Sequence, residues 1–312
     1  MPTSVLLAAA LAAVLCPHEV VFVDTGTGAI VRRVDLAADG VAVFAAPDRR
    51  VVVPLATGDR TVVVEASGKV EHWQGRVFPM FFADFDRMHV VLPGALATLS
   101  YPERISLLQI PLPGVAGARR AACSADGRLV AVVPSGPEGN SLTFVAALEG
   151  GSASRVQLGG NASAVALAPG GTFAVVSTGG GVIEVTRAGQ ARSLGMVNLA
   201  GRVESLACTA DGRGALVGLA SDSGGEIVGL RVDLSAKKPL NERFRIPLSA
   251  EVRALAVSED EVAALAGDVL VVLSADGRKV RRNVSLTGAS DVALLPSRPR
   301  SAVPPWSDGK AP

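Results

Sequence analysis

The stretch RRAACSADGRLVAVVP, residues 119–134, consists of two short apolar runs joined by a polar turn. Ser-Ala-Asp-Gly supplies the turn chemistry: Asp accepts from backbone amides just beyond it, and Gly takes positive φ at no steric cost. The flanking runs are rich in Val and Ala and too short for helices, so the phrase reads as a β-hairpin.

The same phrase recurs along the chain. It reads VAVFAAPDRRVVVPL at 41–55, AVALAPGGTFAVVST at 164–178, ESLACTADGRGALVGLA at 204–220 and RALAVSEDEVAALAG at 253–267. A degenerate copy, MFFADFDRMHVVLP, occupies 80–93. Successive turn centres at Asp48, Phe85, Asp126, Gly170, Asp211 and Asp260 lie 37 to 49 residues apart. Between them runs a second set of hairpins, beginning with VVFVDTGTGAIVRRVDL (20–36), TVVVEASGKVEHW (61–73) and LATLSYPERISLLQI (96–110). It continues with LTFVAALEGGSASRVQL (142–158), VIEVTRAGQARSLGM (182–196), IVGLRVDLSAKKPLNERFRIPL (227–248) and VLVVLSADGRKVRRNVSL (269–286). A four-strand repeat of about 40 residues is the signature of a propeller blade, and seven outer hairpins predict an all-β, seven-bladed propeller of four-stranded antiparallel blades.

With VVFVDTGTGAIVRRVDL, VALAPGG and ACSADGRLVAVV, residues ~18–296 resemble the bacterial YVTN-type, WD40-like β-propeller repeat proteins. The Tyr-Thr-Asn core that names that family is missing from every blade, as are the Trp-Asp and Gly-His marks of WD40 repeats. The resemblance implies the fold and leaves the activity open. The enzymes it suggests first are seven-bladed lactonases, whose sites gather His, Glu and Arg around the central channel.

Six inner hairpins against seven outer ones leave one blade to be completed across the termini. DVALL (291–295) aligns with AVALAPGG and supplies the missing inner strand, with 20–36 as the outer hairpin of that blade. Its second strand has two candidates. SAV at 301–303 is followed by Pro304 and Pro305, which remove ladder donors. VLLAAALAAVLC at 5–16 leads into LAAVLCPHEVVFVD, which aligns with VAALAGDVLVVL. The expectation is therefore a propeller over 1–303, with residues 1–17 completing the closing blade, and a Pro-rich tail over 304–312 that carries Trp306. The competing reading of 1–17 is an export signal, with an A-x-A-like site at Ala10 and Ala12 but no Lys or Arg before Arg32. A lipid anchor at Cys16 fits less well, because Leu15 stands where a small residue is required. The strand reading favours a cytoplasmic protein and the signal reading an exported one.

Composition narrows the function classes. Thirty basic and 29 acidic residues are spread evenly, without the basic stripe that phosphate backbones demand, so nucleic acid is not expected as a partner. No apolar run reaches the ~20 residues of a spanning helix. Three widely spaced cysteines, Cys16, Cys123 and Cys208, suit neither a disulfide framework nor a zinc site and read as buried thiols.

Candidate sites are few. DFDRMH (84–89) clusters Asp84, Asp86 and His89, but in an inner turn, where it reads as a solvated turn and a strand residue. His18 and His72 read as surface residues. TGTG (25–28) and TGGG (178–181) precede strands, not the helix N-terminus that a phosphate cradle needs. No Ser lies in a G-x-S-x-G elbow. No catalytic residue, metal ligand or cofactor is therefore assigned. Arg119, Arg120, Glu204, Glu251 and Arg253, near the starts of inner strands, are channel-rim candidates. EHWQGRVFPMFFADF (71–85) concentrates aromatics where other blades use Val and Ala. Trp73, Phe78, Met80 and Phe81 are the candidate partner-binding residues, with Phe78-Pro79-Met80 expected in a blade-to-blade loop. SAKKPLNER (235–243) is expected to lengthen one outer turn. The reading is a non-enzymatic scaffold for a protein or peptide partner. Its rivals are a lactonase-like hydrolase and a small-ligand or carbohydrate binder at the central channel.

Overall fold

The computed structural model describes residues 10–297, apart from 76, 84, 85, 137, 149, 150, 152 and 223. These residues form seven four-stranded antiparallel sheets and no helix, arranged as a seven-bladed β-propeller. Blade 1 is built from both ends of the chain: Asp291–Leu294 pairs with Leu11–Cys16, followed outward by Glu19–Asp24 and Ile30–Asp35. The other six blades each run through the chain continuously from inner to outer strand. Blade 2 begins at Phe44–Ala45, blade 3 at Met80–Phe82 and blade 4 at Ala118–Cys123. Blades 5, 6 and 7 begin at Ala164–Leu167, Arg202–Cys208 and Val252–Val257.

Closure takes the form that the hairpin mismatch requires. Ala12, Ala13, Val14 and Leu15 register against Leu294, Ala293, Val292 and Asp291. Ser290 and Leu295 add backbone bonds to Leu15 and Leu11 beyond that ladder. Residues 1–9, the alternative strand 301–303 and the tail 304–312 with Trp306 lie outside the described residues.

Strand alternation explains the core. Successive side chains point to opposite faces of a blade, and both faces are covered by neighbours. Leu11, Ala13 and Leu15 thus pack toward blade 2, while Ala12, Val14 and Cys16 pack toward blade 7. Seven apolar clusters result, one in each seam between blades. The second and third strands of a blade are covered on both faces, which accounts for wholly buried runs such as LAAVLC. The outer strands have water on one side and carry Arg, Glu and Asn, as in VRRNVS at 280–285.

The turns behave as their residues dictate. Asp126 Oδ1 accepts from the Ser124 hydroxyl at 2.6 Å and the Arg128 amide at 3.1 Å, with Gly127 at φ 70°. Thr209-Asp211-Arg213 and Ser274-Asp276-Arg278 repeat the arrangement. Two expectations need correction. Met80 does not lie in the blade-to-blade loop but begins the inner strand, pairing with Val90. The extra length at 235–243 is divided: Asp233–Pro239 makes the turn, and residues 240–243 belong to a nine-residue strand, Leu240–Leu248.

An antiparallel meander puts its turns on two faces. The turn face carries the first-to-second and third-to-fourth strand turns. The loop face carries the second-to-third turns and the connections between blades.

Candidate functional site

The loop face holds most of the residues singled out in the sequence. Arg119 and Arg120 are exposed at the start of blade 4, where Arg120 Nη1 donates to the Arg119 carbonyl at 3.1 Å. The other rim charges come together at blades 6 and 7. Arg202 Nε meets Glu204 Oε1 at 2.5 Å, Arg202 Nη2 lies 3.8 Å from Glu251, and Arg253 Nε meets Glu251 at 2.6 Å. Beside them Arg245 bridges Glu226 and Glu242 at 2.6 and 2.7 Å. Both carboxylates support the Arg245 guanidinium, raising its pKa, with Glu242 the larger influence. Arg202, Glu226, Arg245 and Glu251 line an open cleft of about 630 Å³. Pairs as exposed as these contribute at most about 1 kcal/mol each. Their consequence is chemical: Glu204, Glu226 and Glu251 are each held by a guanidinium.

The histidines stand apart from that cleft. His18 is exposed beside Asp39, at 3.6 Å, and His72 is exposed on an outer strand of blade 2. His89 is wholly buried in blade 3. Its Nε2 lies 2.8 Å from the Gly127 carbonyl, which can only accept, so Nε2 carries the proton and Nδ1 accepts from Thr98 Oγ1 at 2.9 Å. Burial pushes its pKa down and keeps the ring neutral. His89 therefore fastens blade 3 to the turn of blade 4. Asp84 lies outside the described residues. Among the described residues no three His, Cys, Asp or Glu side chains gather as a metal-ligand group. Cys16 and Cys208 are buried and Cys123 partly so, and burial pushes the thiols up to about 11, 12 and 12 respectively.

The aromatic stretch divides between core and surface. Trp73 and Met80 are buried in the seam between blades 2 and 3. Tyr101 packs edge-on against Trp73 at 6.0 Å and Phe82 at 5.0 Å, and its hydroxyl reaches both Asp48 oxygens at 3.0 and 3.2 Å. Arg50 stands over the Tyr101 ring at 5.2 Å and bonds Asp48 at 2.7 Å. Trp73 and Met80 thus hold blades together, leaving Phe78, half-buried, as the accessible member of that seam, while Phe81, also half-buried, packs against the seam between blades 3 and 4. The structure adds Phe44, also half-buried, whose ring lies 6.2 Å from that of Phe78. Its signal was present in the repeat. Phe44 occupies the inner-strand position held by Ala122, Ala166 and Ala207 in other blades, where only Phe81 is also aromatic.

Comparison with known proteins sets the limits of inference. No family model matches the chain, and no curated protein matches its sequence. Solved structures match it over nearly the whole ring. A functionally unknown protein from Desulfotomaculum acetoxidans superposes with a TM-score of 0.72 at 17% identity, covering 91% of this chain and 98% of its own. The periplasmic gluconolactonase of Pseudomonas aeruginosa gives 0.66 at 18%, covering 92% and 99%. The β-propeller domain of Swd1 from Myceliophteria thermophila gives 0.60 at 14%, covering 79% and 85%. The likeness is one of fold. A gluconolactonase and the Swd1 domain both have it, so function has to be argued from the sites themselves.

Proposed function

We propose that the protein is a non-enzymatic scaffold that holds a protein or peptide partner where the inner strands of blades 2 and 3 meet. The observation carrying this reading is the half-exposed aromatic edge formed by Phe44 and Phe78, whose rings lie 6.2 Å apart. It rises from a core that Trp73, Met80 and Tyr101 make rigid. A fixed aromatic edge offers apolar area without the entropy cost of ordering a flexible surface. The repeats themselves are read as YVTN-type on VVFVDTGTGAIVRRVDL and VALAPGG.

The test is capture of a partner by the tagged protein from its own cells, followed by size-exclusion chromatography of the complex. Phe44→Ser and Phe78→Ser should abolish capture while leaving the thermal midpoint within a few degrees of wild type. Capture that survives both substitutions would end the reading.

A second reading rests on the cleft between blades 6 and 7, lined by Arg202 and Glu251, to which Glu204 and Arg253 are paired. In this reading the cleft hydrolyses a sugar lactone, in the manner suggested by the gluconolactonase neighbour. Saturable hydrolysis of glucono-δ-lactone that is lost in Glu204→Ala and Glu251→Ala would install it in place of the scaffold.

A further inference from the structure

The turn face carries a second, different surface between blades 6 and 7. An open groove of about 660 Å³ runs there, lined by four guanidinium groups. Arg213 comes from the first turn of blade 6, Arg231 from its third strand, Arg243 from its outer strand and Arg278 from the outer turn of blade 7. Arg213, Arg231 and Arg243 are exposed, and Arg213 and Arg231 interact electrostatically with Asp211 and Asp233 without forming a close ion pair. This sets them apart from Arg202, Arg245 and Arg253 on the loop face, each of which is held by a carboxylate.

The backbone is shaped to present them. Opposite Gly229 and Leu230 the outer strand pairs through Phe244 and Glu242, so Arg243 is the extra residue of a β-bulge. A bulge leaves that residue outside the ladder and re-aims its side chain. Gly229 permits the neighbouring feature: a Cβ there would lie 2.1 Å from the Phe244 ring, so only glycine lets that ring lie across the strand. Phe244 is half-buried in the groove, and Arg278 stands over its face at 5.5 Å. The result is an aromatic surface flanked by exposed cations.

We propose that this groove binds an acidic peptide segment, its carboxylates on Arg213, Arg231 and Arg243 and an apolar side chain on Phe244. Guanidinium matches carboxylate in a planar, two-pronged geometry. The charge balance selects the peptide over a compact polyphosphate. Asp211, Glu259 and Asp276 also line the groove, so four cations against three anions leave one net positive charge. Asp211 and Asp276 have one oxygen each committed to their own turns, bonding Thr209 and Ser274. Such a mixed lining suits a dense cluster of phosphate charge less well than single carboxylates spaced along an extended chain. The inference is independent of the aromatic edge at blades 2 and 3, which belongs to the opposite side of the ring.

The experiment is fluorescence anisotropy with a fluorescein-labelled ten-residue Glu-rich peptide carrying one central Leu, titrated with the full chain at low ionic strength. Saturable binding is expected, weakening as salt screens the contacts. It should fall at least tenfold in R231E/R243E and by less in the milder R231Q/R243Q, which keeps the test open if charge reversal disturbs folding. R32E/R60E, an equal charge change at exposed arginines of blades 1 and 2, should leave binding unchanged. Absence of saturable binding would overturn the proposal, as would equal weakening by R32E/R60E. Tripolyphosphate that binds through the same arginines while the peptide does not would overturn it in favour of a phosphate ligand.

Discussion

The seam between blades 2 and 3 and the seam between blades 6 and 7 solve one packing problem by opposite means. In the first the inner strands are two and three residues long, and the space beside them is filled by Trp73, Met80, Phe82, Met88 and Tyr101. In the second the strands of blade 6 run to eight and nine residues, and the filling is Val, Leu, Ile and Ala. Backbones there come so close that side chains must be omitted. A Cβ on Gly218 would lie 2.2 Å from Ser205 Oγ and 2.8 Å from the Val252 carbonyl, the two atoms that bond each other across the seam at 3.0 Å. A short ladder is compensated by side-chain volume, whereas a long one demands its absence. The first seam should therefore be vulnerable to removing atoms, the second to adding them.

Tyr101→Ala tests the first half of that contrast and should have the largest effect. It deletes a buried ring packed on Trp73 and Phe82 and strips Asp48 of a hydroxyl donor. A loss of about 4 kcal/mol is expected in urea unfolding, the range for large-to-small aromatic changes. A loss below about 1 kcal/mol would mean that the aromatics are not what holds blades 2 and 3 together.

The closing seam, between blades 1 and 2, adds a charge to the comparison. Asp291 is half-buried, accepts from the Val43 amide of blade 2 at 2.9 Å and from its neighbour Val292, and burial raises its carboxyl to about 6. Its folded pKa exceeds the unfolded value of 3.8, so the folded state holds the proton more tightly between those limits. The group thus costs most above pH 6, and stability rises as pH falls from about 6 toward 4. Two pH units correspond to roughly 3 kcal/mol. Asp291→Asn should be more stable than wild type at pH 7 and converge with it near pH 4. Parallel melting curves across that range would refute the assignment.

How much of this was legible depends on whether the signal is local. Each hairpin could be read because Asp-Gly or Pro-Asp marks its turn within a few residues. Closure across the termini followed from counting six inner against seven outer hairpins, and the alignment of LAAVLC with VAALAG favoured 5–16 over 301–303 as the second strand, although Ala8, Ala9 and Ala10 are weak strand formers. The rim charges could be placed on the correct face from their position at strand starts, but their mutual pairing could not, since Arg202 and Glu251 meet only across blades. The burial of Trp73 and Met80 was equally hidden: sequence marks an aromatic cluster without saying which members face a neighbouring blade. Least legible was the arginine groove, whose four cations come from separate elements of two blades.

The second half of the contrast is tested by Gly218→Ala. One methyl group added between Ser205 and Val252 must push the Ser205 hydroxyl from its bond to the Val252 carbonyl or part the strands. Overpacking of this kind costs about 2 kcal/mol. The same Ala that opens a void at position 101 here overfills one. Neutral behaviour in urea unfolding would show the blade 6–7 seam to be as deformable as a loop.

The smallest effects separate the two seams most finely, because each has an arginine over a ring. Arg104 stands 5.0 Å from the centroid of Trp73, which is buried, and donates to the Gln74 carbonyl at 2.8 Å. Arg278 stands 5.5 Å from Phe244, which is only half-buried, with Asp276 as an ion-pair partner at 3.9 Å. Cation–π attraction strengthens as water is excluded, from about 0.5–1 kcal/mol at exposed sites upward. Arg104→Ala should therefore cost about 1 kcal/mol, through the lost stacking and the carbonyl left without its donor. Arg278→Ala should cost less than about 0.5 kcal/mol, since its ring keeps most of its water and its carboxylate partner is exposed. Measured together by urea unfolding, the pair distinguishes an arginine that closes a seam from one left available to a ligand. If Arg278→Ala proves the more damaging, Arg278 is part of the seam, and the groove over Phe244 loses one of its four cations.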